Sequence, residues 1–406
     1  MKSFNPNAFE ILTERGFIAL TSHTDELKAA LSKGPVTFYL GIEPTADAIH
    51  IGHFFALRVF KILQDCGHKG ILLLGGATGE IGDPSFKDDM RKLMTTKTID
   101  DNVVKMKTLL SKFIDVDRTI FVNNADWLRS RGYIEFMREV GTHFNVAKML
   151  ANDCYKVRLK EGGLTFFEMG YMLLQSYDFV YLNDKFGCTL QIGGTDQWGN
   201  ILAGVELGRK MSFKDGKPRP TMFGLANPLF TKSDGTKMGK TEKGALWITA
   251  EKTSPYDFYQ YFINSADADV ERLLRFFTMM PLKEIADICK RDIVSAKKLM
   301  AFEITKLIHG EKIAKETVAL SAQLFGGSEG TNANAPTETI KTNSRNIVDV
   351  LALTSVISSK REAREFITSG AILIDGEKIT DINYAITKKE FLLKKGKKTF
   401  ARVILK

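Results

Sequence analysis

The sequence predicts an α/β protein: a doubly wound parallel sheet, then an all-helical domain, then a small basic α+β module. Three observations carry this. Apolar, β-rich runs alternate with helical periodicity up to about Leu246; the pattern from Tyr256 to Phe325 is helical with hardly a strand signal; and a small, polar stretch from Gly326 to Asn343 separates both from a basic tail. The expected domains are 1–248, 249–325, a flexible linker at 326–345, and 346–406.

Each element has its own signal. Phe9 to Phe17 reads as a helix. Val36-Thr37-Phe38-Tyr39-Leu40 is β-rich and Gly41 breaks it. Pro44-Thr45-Ala46-Asp47 is a turn leading into His50, and Phe54, Phe55, Leu57, Val59, Phe60 and Leu63 give the helix that follows its apolar side. Gly70 to Gly76 is a continuous apolar run, suited to a parallel strand buried on both faces. Thr119 to Asn123 and Cys188 to Ile192 are further strands, with a helix around Phe136 to Glu139. In the helical region Phe258, Tyr261 and Phe262 recur at helical spacing, as do Leu273, Leu274 and Phe277. In the tail, Ser359 caps a helix that Ser369-Gly370 ends. Ala371 to Ile379 reads as two strands about an Asp-Gly turn, and Lys394-Lys395-Gly396-Lys397-Lys398 makes a basic hairpin tip.

Composition excludes several classes. At 406 residues, 44% hydrophobic and 26% charged, the chain is neither fibrous nor disordered. Met1 to Pro6 lacks an apolar leader and no window suits a bilayer span, so a cytoplasmic protein without membrane partners is expected. The four cysteines and the remaining histidines lack metal-ligand spacing, so no bound metal is expected. Charge is more telling. Of the net +9, a surplus of 6 falls between Arg345 and Lys406, which hold 13 Lys and Arg against 7 Asp and Glu. A folded basic module meets a phosphate backbone more readily than a membrane, and Lys360, Arg361, Arg364, Lys394, Lys395, Lys397 and Lys398 are its candidate RNA contacts.

Chemistry concentrates in a few segments. His50-Ile51-Gly52-His53 puts two imidazoles on one helix face near its N-terminus, where anions are favoured. Lys237-Met238-Gly239-Lys240-Thr241 repeats the spacing with ammonium groups after a Gly-rich stretch. Gly75-Gly76-Ala77-Thr78-Gly79 and Gly82-Asp83-Pro84 follow a buried strand, where open α/β sheets bind ligands. Lys87 and Arg91 lie beyond on a polar segment that could reach a pyrophosphate. Tyr171, Gln175 and Asp178 share one face of an apolar helix, which requires either a structural network or a polar ligand. Gln191 to Asn200 is another strand, Gly-turn, helix unit in which Asp196 could hold a ribose. Singly, each has a plain alternative: a satisfied His pair, solvated lysines, a helix cap at Thr195 or Asp196.

Taken in order, with Tyr39, these segments resemble the bacterial-type tyrosyl-tRNA synthetases, class I aminoacyl-tRNA synthetases, along essentially the whole chain; the basic module resembles an S4-type RNA-binding domain. The resemblance implies a Rossmann-like catalytic domain, a helical anticodon-binding domain and a homodimer, its interface within Ile120 to Lys148. It implies tyrosine, ATP with Mg2+ on its triphosphate, and tRNA as substrates, with no tightly bound cofactor. Tyr39 and Asp178 would meet the phenol hydroxyl; Asp83, Tyr171 and Gln175 the ammonium; Gln197 the carboxylate; Thr78 and Gln191 would complete the tyrosine pocket. Thr45, His50, Lys87, Arg91, Lys237 and Lys240 would serve the phosphates, with His53 and Asp196 facing the nucleotide and ribose and Gly41, Glu43, Gly52, Gly193 and Met238 about the nucleotide. Glu43 stands where the family usually has Asp, Leu40 where a small polar residue is common, and residues 237–241 lack the serines of the usual Lys-Met-Ser-Lys-Ser. Three other readings compete. A small-molecule nucleotidyltransferase would leave the tail unexplained. A tryptophan-specific relative would not need Tyr39 and Asp178. An inactive RNA-binding descendant would not keep His50, Lys237 and Lys240.

Overall fold

The structure, a computed structural model, describes residues 4–84, 94–152, 155–156, 159–160, 163–214, 217–241, 244–325, 337–396 and 399–406; the side chains of 213–214, 217, 240–241, 323–325 and 399–400 lie outside that description. Contacts divide the chain into two units, Met1–Glu311 and Lys312–Lys406.

In the first unit, alternating apolar runs assemble a six-stranded sheet in the order Leu20–Thr21, Phe223–Asn227, Cys188–Gly194, Thr37–Ile42, Lys69–Leu74, Thr119–Asn123. Only the short Leu20–Thr21 strand is antiparallel to its neighbour. Helices cover both faces, as fully apolar strands require. On one face Phe38 meets Phe60 of the Ile51–Asp65 helix edge-on at 4.9 Å, and Gly70 leaves room for the tip of that ring: a Cβ there would stand 2.2 Å from it. On the other face Tyr39, Ile71 and Leu73 pack with Met172, Phe179 and Val180 of the Phe166–Phe186 helix. Burying each such large side chain contributes on the order of 1.5–3 kcal/mol.

Two expected boundaries shift. Gly41 does not end its strand, because its backbone still pairs with Leu73 and Ile42 still pairs with Leu74. The first helix spans Ala8–Glu14, and Phe17 turns back to place its ring 5.2 Å from Phe55 and 5.1 Å from Phe276. Phe276 belongs to Asp267–Phe277, one of the run of helices that follows the sheet: Pro255–Ile263, Asp267–Phe277, Leu282–Arg291 and Ile293–His309. Buried cations tie that region down. Arg15 donates to the carbonyls of Arg275, Thr278 and Met280, and Arg58 to that of Phe276, filling the acceptors left at a helix C-terminus.

The second unit holds a five-stranded sheet in the order Thr337–Ile340, Thr399–Leu405, Glu390–Lys395, Ile372–Ile374, Glu377–Ile379. Its core joins Ile347, Val350 and Leu351 to Ile367, Phe391 and Val403. Ser359 caps the Lys360–Thr368 helix by accepting from Glu362 N. Asp375 and Gly376, at φ 50° and 87°, form the hairpin turn whose backbone hand matches strand twist. Among the described residues no helix is long and apolar enough to cross a membrane.

Candidate active site

A cavity of about 470 Å³ opens in the first unit at the carboxyl ends of Thr37–Ile42 and Cys188–Gly194. These adjacent parallel strands lie where the strand order reverses, the position at which a doubly wound sheet leaves a crevice. Of the expected tyrosine-site residues, Tyr39, Thr78, Asp83, Tyr171, Gln175, Asp178, Gln191 and Gln197 all line it. Of the expected nucleotide-site residues, so do Gly41, Glu43, Thr45, His50, Gly52, His53, Gly193, Asp196, Lys237 and Met238. Lys87, Arg91, Lys397 and Lys398 lie outside the described residues, as does the side chain of Lys240.

One end of the cavity is buried and polar. Asp178, 2% exposed, accepts from Trp127 Nε1 at 2.8 Å and from Asn124 Nδ2 at 3.0 Å. Burial nevertheless pushes its carboxyl up to about 7, because the two donors offset only part of the lost solvation. Asn124, itself fully buried, also donates to Thr78 Oγ1 and accepts from Ala77 N. Tyr39 faces this carboxylate; burial first, and then the charge of Asp178, raise its phenol. Its hydroxyl has no hydrogen-bond partner among the described residues, nor have Gln175 Oε1 and Gln191 Oε1, and all three are buried. Such groups cost roughly 1–3 kcal/mol each unless something bonds them.

Next comes a ring of amides and carboxylates. Gln197 Nε2 donates to Asp83 Oδ2 at 2.5 Å, while Gln197 Oε1 accepts from Gln175 at 3.4 Å and from Asn200 at 3.3 Å. Tyr171 is hydrogen-bonded to Glu43; burial first, then Glu43 and Asp83, hold its phenol protonated. The longer side chain at Glu43 thus finds a role within the pocket wall.

The other end carries the cationic and imidazole groups. His50 is not in the helix, as its expected pairing with His53 assumed, but caps it: Nδ1 accepts from Gly52 N at 3.1 Å and His53 N at 3.3 Å. The two rings still stack, 3.9 Å apart and 11° from parallel. Burial, and secondarily the charge of Lys237, hold His50 below the usual histidine range, so it is neutral near pH 7. A neutral ring whose Nδ1 accepts carries its proton on Nε2, and is a donor there. Lys237 is exposed, on a turn whose Thr231 and Lys237 backbones pair. Gly239 sits at φ 86°, and a Cβ there would lie 2.5 Å from Ile51 Cγ2, so serine would not fit this conformation. Among the described residues no group of three or more His, Cys, Asp or Glu side chains could hold a metal ion.

Sequence reasoning missed Asn124, Trp127 and Trp247. The first two follow the end of the Thr119–Asn123 strand, at the same carboxyl edge as the glycine motifs, and that position was the available signal. Trp247 pairs by backbone with His50, a contact no local pattern announces.

In the second unit Lys360, Arg361 and Arg364 are exposed, Lys360 in an ion pair with Asp349. Lys395 is turned inward: it bonds Glu362 at 2.6 Å and the Val356 carbonyl at 3.0 Å, above the Phe366 ring.

A parallel sheet with a switch-point cavity that joins a polar pocket to imidazole and ammonium groups defines a nucleotide-dependent class I synthetase fold, and residues 31–326 match the family "tRNA synthetases class I (W and Y)". Residues 328–403 match the "Tyrosine--tRNA ligase SYY-like C-terminal domain". The chain belongs to the tyrosyl-tRNA synthetase branch of that family: it is 46% identical over 98% of its length to a tyrosine–tRNA ligase of Clostridium botulinum, 99% of which is covered. The tyrosine–tRNA ligase of Clostridium kluyveri is 47% identical over 98% of this chain and all of its own. Among solved structures, a C-terminally truncated mitochondrial tyrosyl-tRNA synthetase of Aspergillus nidulans superimposes with a TM-score of 0.69 at 29% identity, over 78% of this chain and 94% of that one.

Proposed function

We propose that this chain joins tyrosine to tRNA in two steps. The tyrosine carboxylate attacks the α-phosphorus of ATP, the bond to the bridging oxygen breaks, and pyrophosphate departs. The 3′-terminal hydroxyl of the tRNA then attacks the tyrosyl carbonyl and releases AMP. The observation that carries this reading is the buried end of the cavity. There a carboxylate held by Trp127 and Asn124 faces a Tyr39 hydroxyl that has no partner among the described residues, so an acceptor and a donor stand ready for one phenol. Phenylalanine would leave the Tyr39 hydroxyl unsatisfied and bring Asp178 no further donor, which is the costly outcome for buried polar groups.

The ring of amides and carboxylates supports the rest of the substrate. Asp83, Tyr171 and Gln175 would hold the ammonium, and Gln197 the carboxylate, while Thr78 and Gln191 complete the wall. At the other end Thr45, His50 Nε2 and Lys237 would meet charge growing on the departing pyrophosphate, with Lys87, Arg91 and Lys240 as further donors; His53, Asp196 and the backbone at Gly41, Gly52 and Gly193 would face the nucleotide. No side chain attacks anything: catalysis is positioning and charge stabilisation. Imidazole and ammonium groups suit phosphate oxygens, so Mg2+ is assigned to the triphosphate as part of the substrate.

In the second unit, Lys360, Arg361, Arg364 and Lys394, with Lys397 and Lys398, are the proposed tRNA contacts; Lys395 would steady the module they stand on. The linker expected at 326–345 is too long at its far end, because Thr337–Ile340 is a strand of the second unit's sheet with Ile340 in its core; the boundaries at 248 and 325 and an anticodon-binding role for 249–325 belong to the same proposal, as does work in the cytoplasm. So does a homodimer, supported by Ile120, Tyr133, Ile134 and Val146, large apolar side chains exposed along one stretch of the chain. The test is pyrophosphate exchange into ATP with each of the twenty amino acids. Exchange with tyrosine alone is expected, and silence with tyrosine rejects the reading.

A further inference from the structure

We propose that Tyr261 is a positioning residue for the first step, its hydroxyl holding the Lys237–Gly239 turn against the N-terminus of the His50-capped helix. The inference rests on the function proposed above. Tyr261 sits on the Pro255–Ile263 helix, and its oxygen accepts a hydrogen bond from Gly239 N at 2.7 Å. From that amide a continuous relay runs to the site. The Gly239 carbonyl accepts from Leu246 N at 2.7 Å, and the Leu246 carbonyl accepts from Ile51 N at 2.9 Å, one residue past His50. Gly239 itself presses on Ile51, so turn and helix start are in direct contact.

The helical region grips the turn's other end as well. Asp269, 1% exposed, accepts from Ser233 N at 2.7 Å, and Arg272 bonds both Asp269 and the Thr231 carbonyl. Between these anchors, residues 233–237 are exposed. Lys237 thus stands on a span fixed at both ends but solvated along its length, and its charge reaches His50. The turn's backbone bonds at Met238 N and Gly235 N close only within the hairpin. At the Lys237–Gly239 end, the Tyr261 hydroxyl on Gly239 N is the side-chain hydrogen bond from the helical region among the described residues, as Asp269 on Ser233 N is at the other end.

Phenylalanine at 261 would keep the ring's edge-on packing against Phe262, 5.2 Å away, and remove only the oxygen. Tyr261→Phe is expected to lower the turnover of tyrosine-dependent pyrophosphate exchange roughly fivefold, the scale of one neutral hydrogen bond, with the KM for tyrosine unchanged. Because the hydroxyl acts through the turn, the loss is expected to vanish in a Lys237→Ala background. An unaltered turnover in Tyr261→Phe overturns the proposal, as does an equal loss in both backgrounds, which would mark a general packing role. If the wild-type chain shows no exchange with tyrosine, the function proposed above fails and takes this inference with it; wild-type exchange with an unaffected variant sinks the inference alone.

Discussion

The two ends of the cavity solve opposite electrostatic problems. Around Asp178 the protein has removed water and supplied fixed partners, to the point that burial lifts the carboxyl to about 7. Around Lys237 it leaves the charge exposed and instead fixes the backbone beneath it. Recognition of a hydroxyl gains from desolvation, because a missing partner is then expensive. Holding a polyanion that must leave again gains from charges that stay solvated until they are needed.

If that contrast is sound, the ends should fail separately. Lys237→Ala is expected to lower the rate of adenylate formation by about a hundred- to a thousandfold, as for loss of one transition-state donor, with tyrosine affinity within about twofold of wild type by equilibrium binding. Asp178→Asn should raise the KM for tyrosine by about ten- to a hundredfold, the scale of a hydrogen bond to a charge, and leave that for ATP nearly intact. Equal damage to both constants would remove Asp178 from the tyrosine end. Acid should sharpen the contrast further. The folded carboxyl, near 7, lies above its unfolded value, so its stabilising contribution is complete below about 4 and is lost as pH rises through 7. The phenol, by contrast, needs the ionised form as its acceptor. From pH 8 to 6 the ligand-free fold should therefore gain about 1 kcal/mol by denaturant titration, relative to Asp178→Asn, while tyrosine binding weakens about tenfold. Tyr39→Phe is the mildest change, expected to cost tyrosine about fivefold and to narrow its advantage over phenylalanine in the exchange assay.

The same contrast governs what the sequence made legible. Strands and helices that bury one long apolar run announce themselves, and Thr119–Asn123 is read to the residue. Side chains that would touch substrate also stood out, since Tyr171, Gln175 and Asp178 are polar where an apolar helix has no use for them. Residues that act through another residue did not. Asn124 and Trp127 matter because they meet a carboxylate more than fifty positions away, as their separations of 54 and 51 record, and Tyr261 looked like one more aromatic on a buried face. Gly41 misled for a related reason. Glycine weakens a strand by propensity, but here paired neighbours on both sides carry the backbone through, and the missing side chain leaves its surface to the cavity.

His50 carries the longest consequence. Its ring uses one edge to bind two amides of its own chain and offers the opposite edge to the cavity. Asparagine could inherit the first duty and lysine the second. The imidazole does both on one ring, with its acceptor and its donor on opposite rims of the same plane. A substitution that keeps the cap on Gly52 N and His53 N therefore need not keep the donor that faces the cavity.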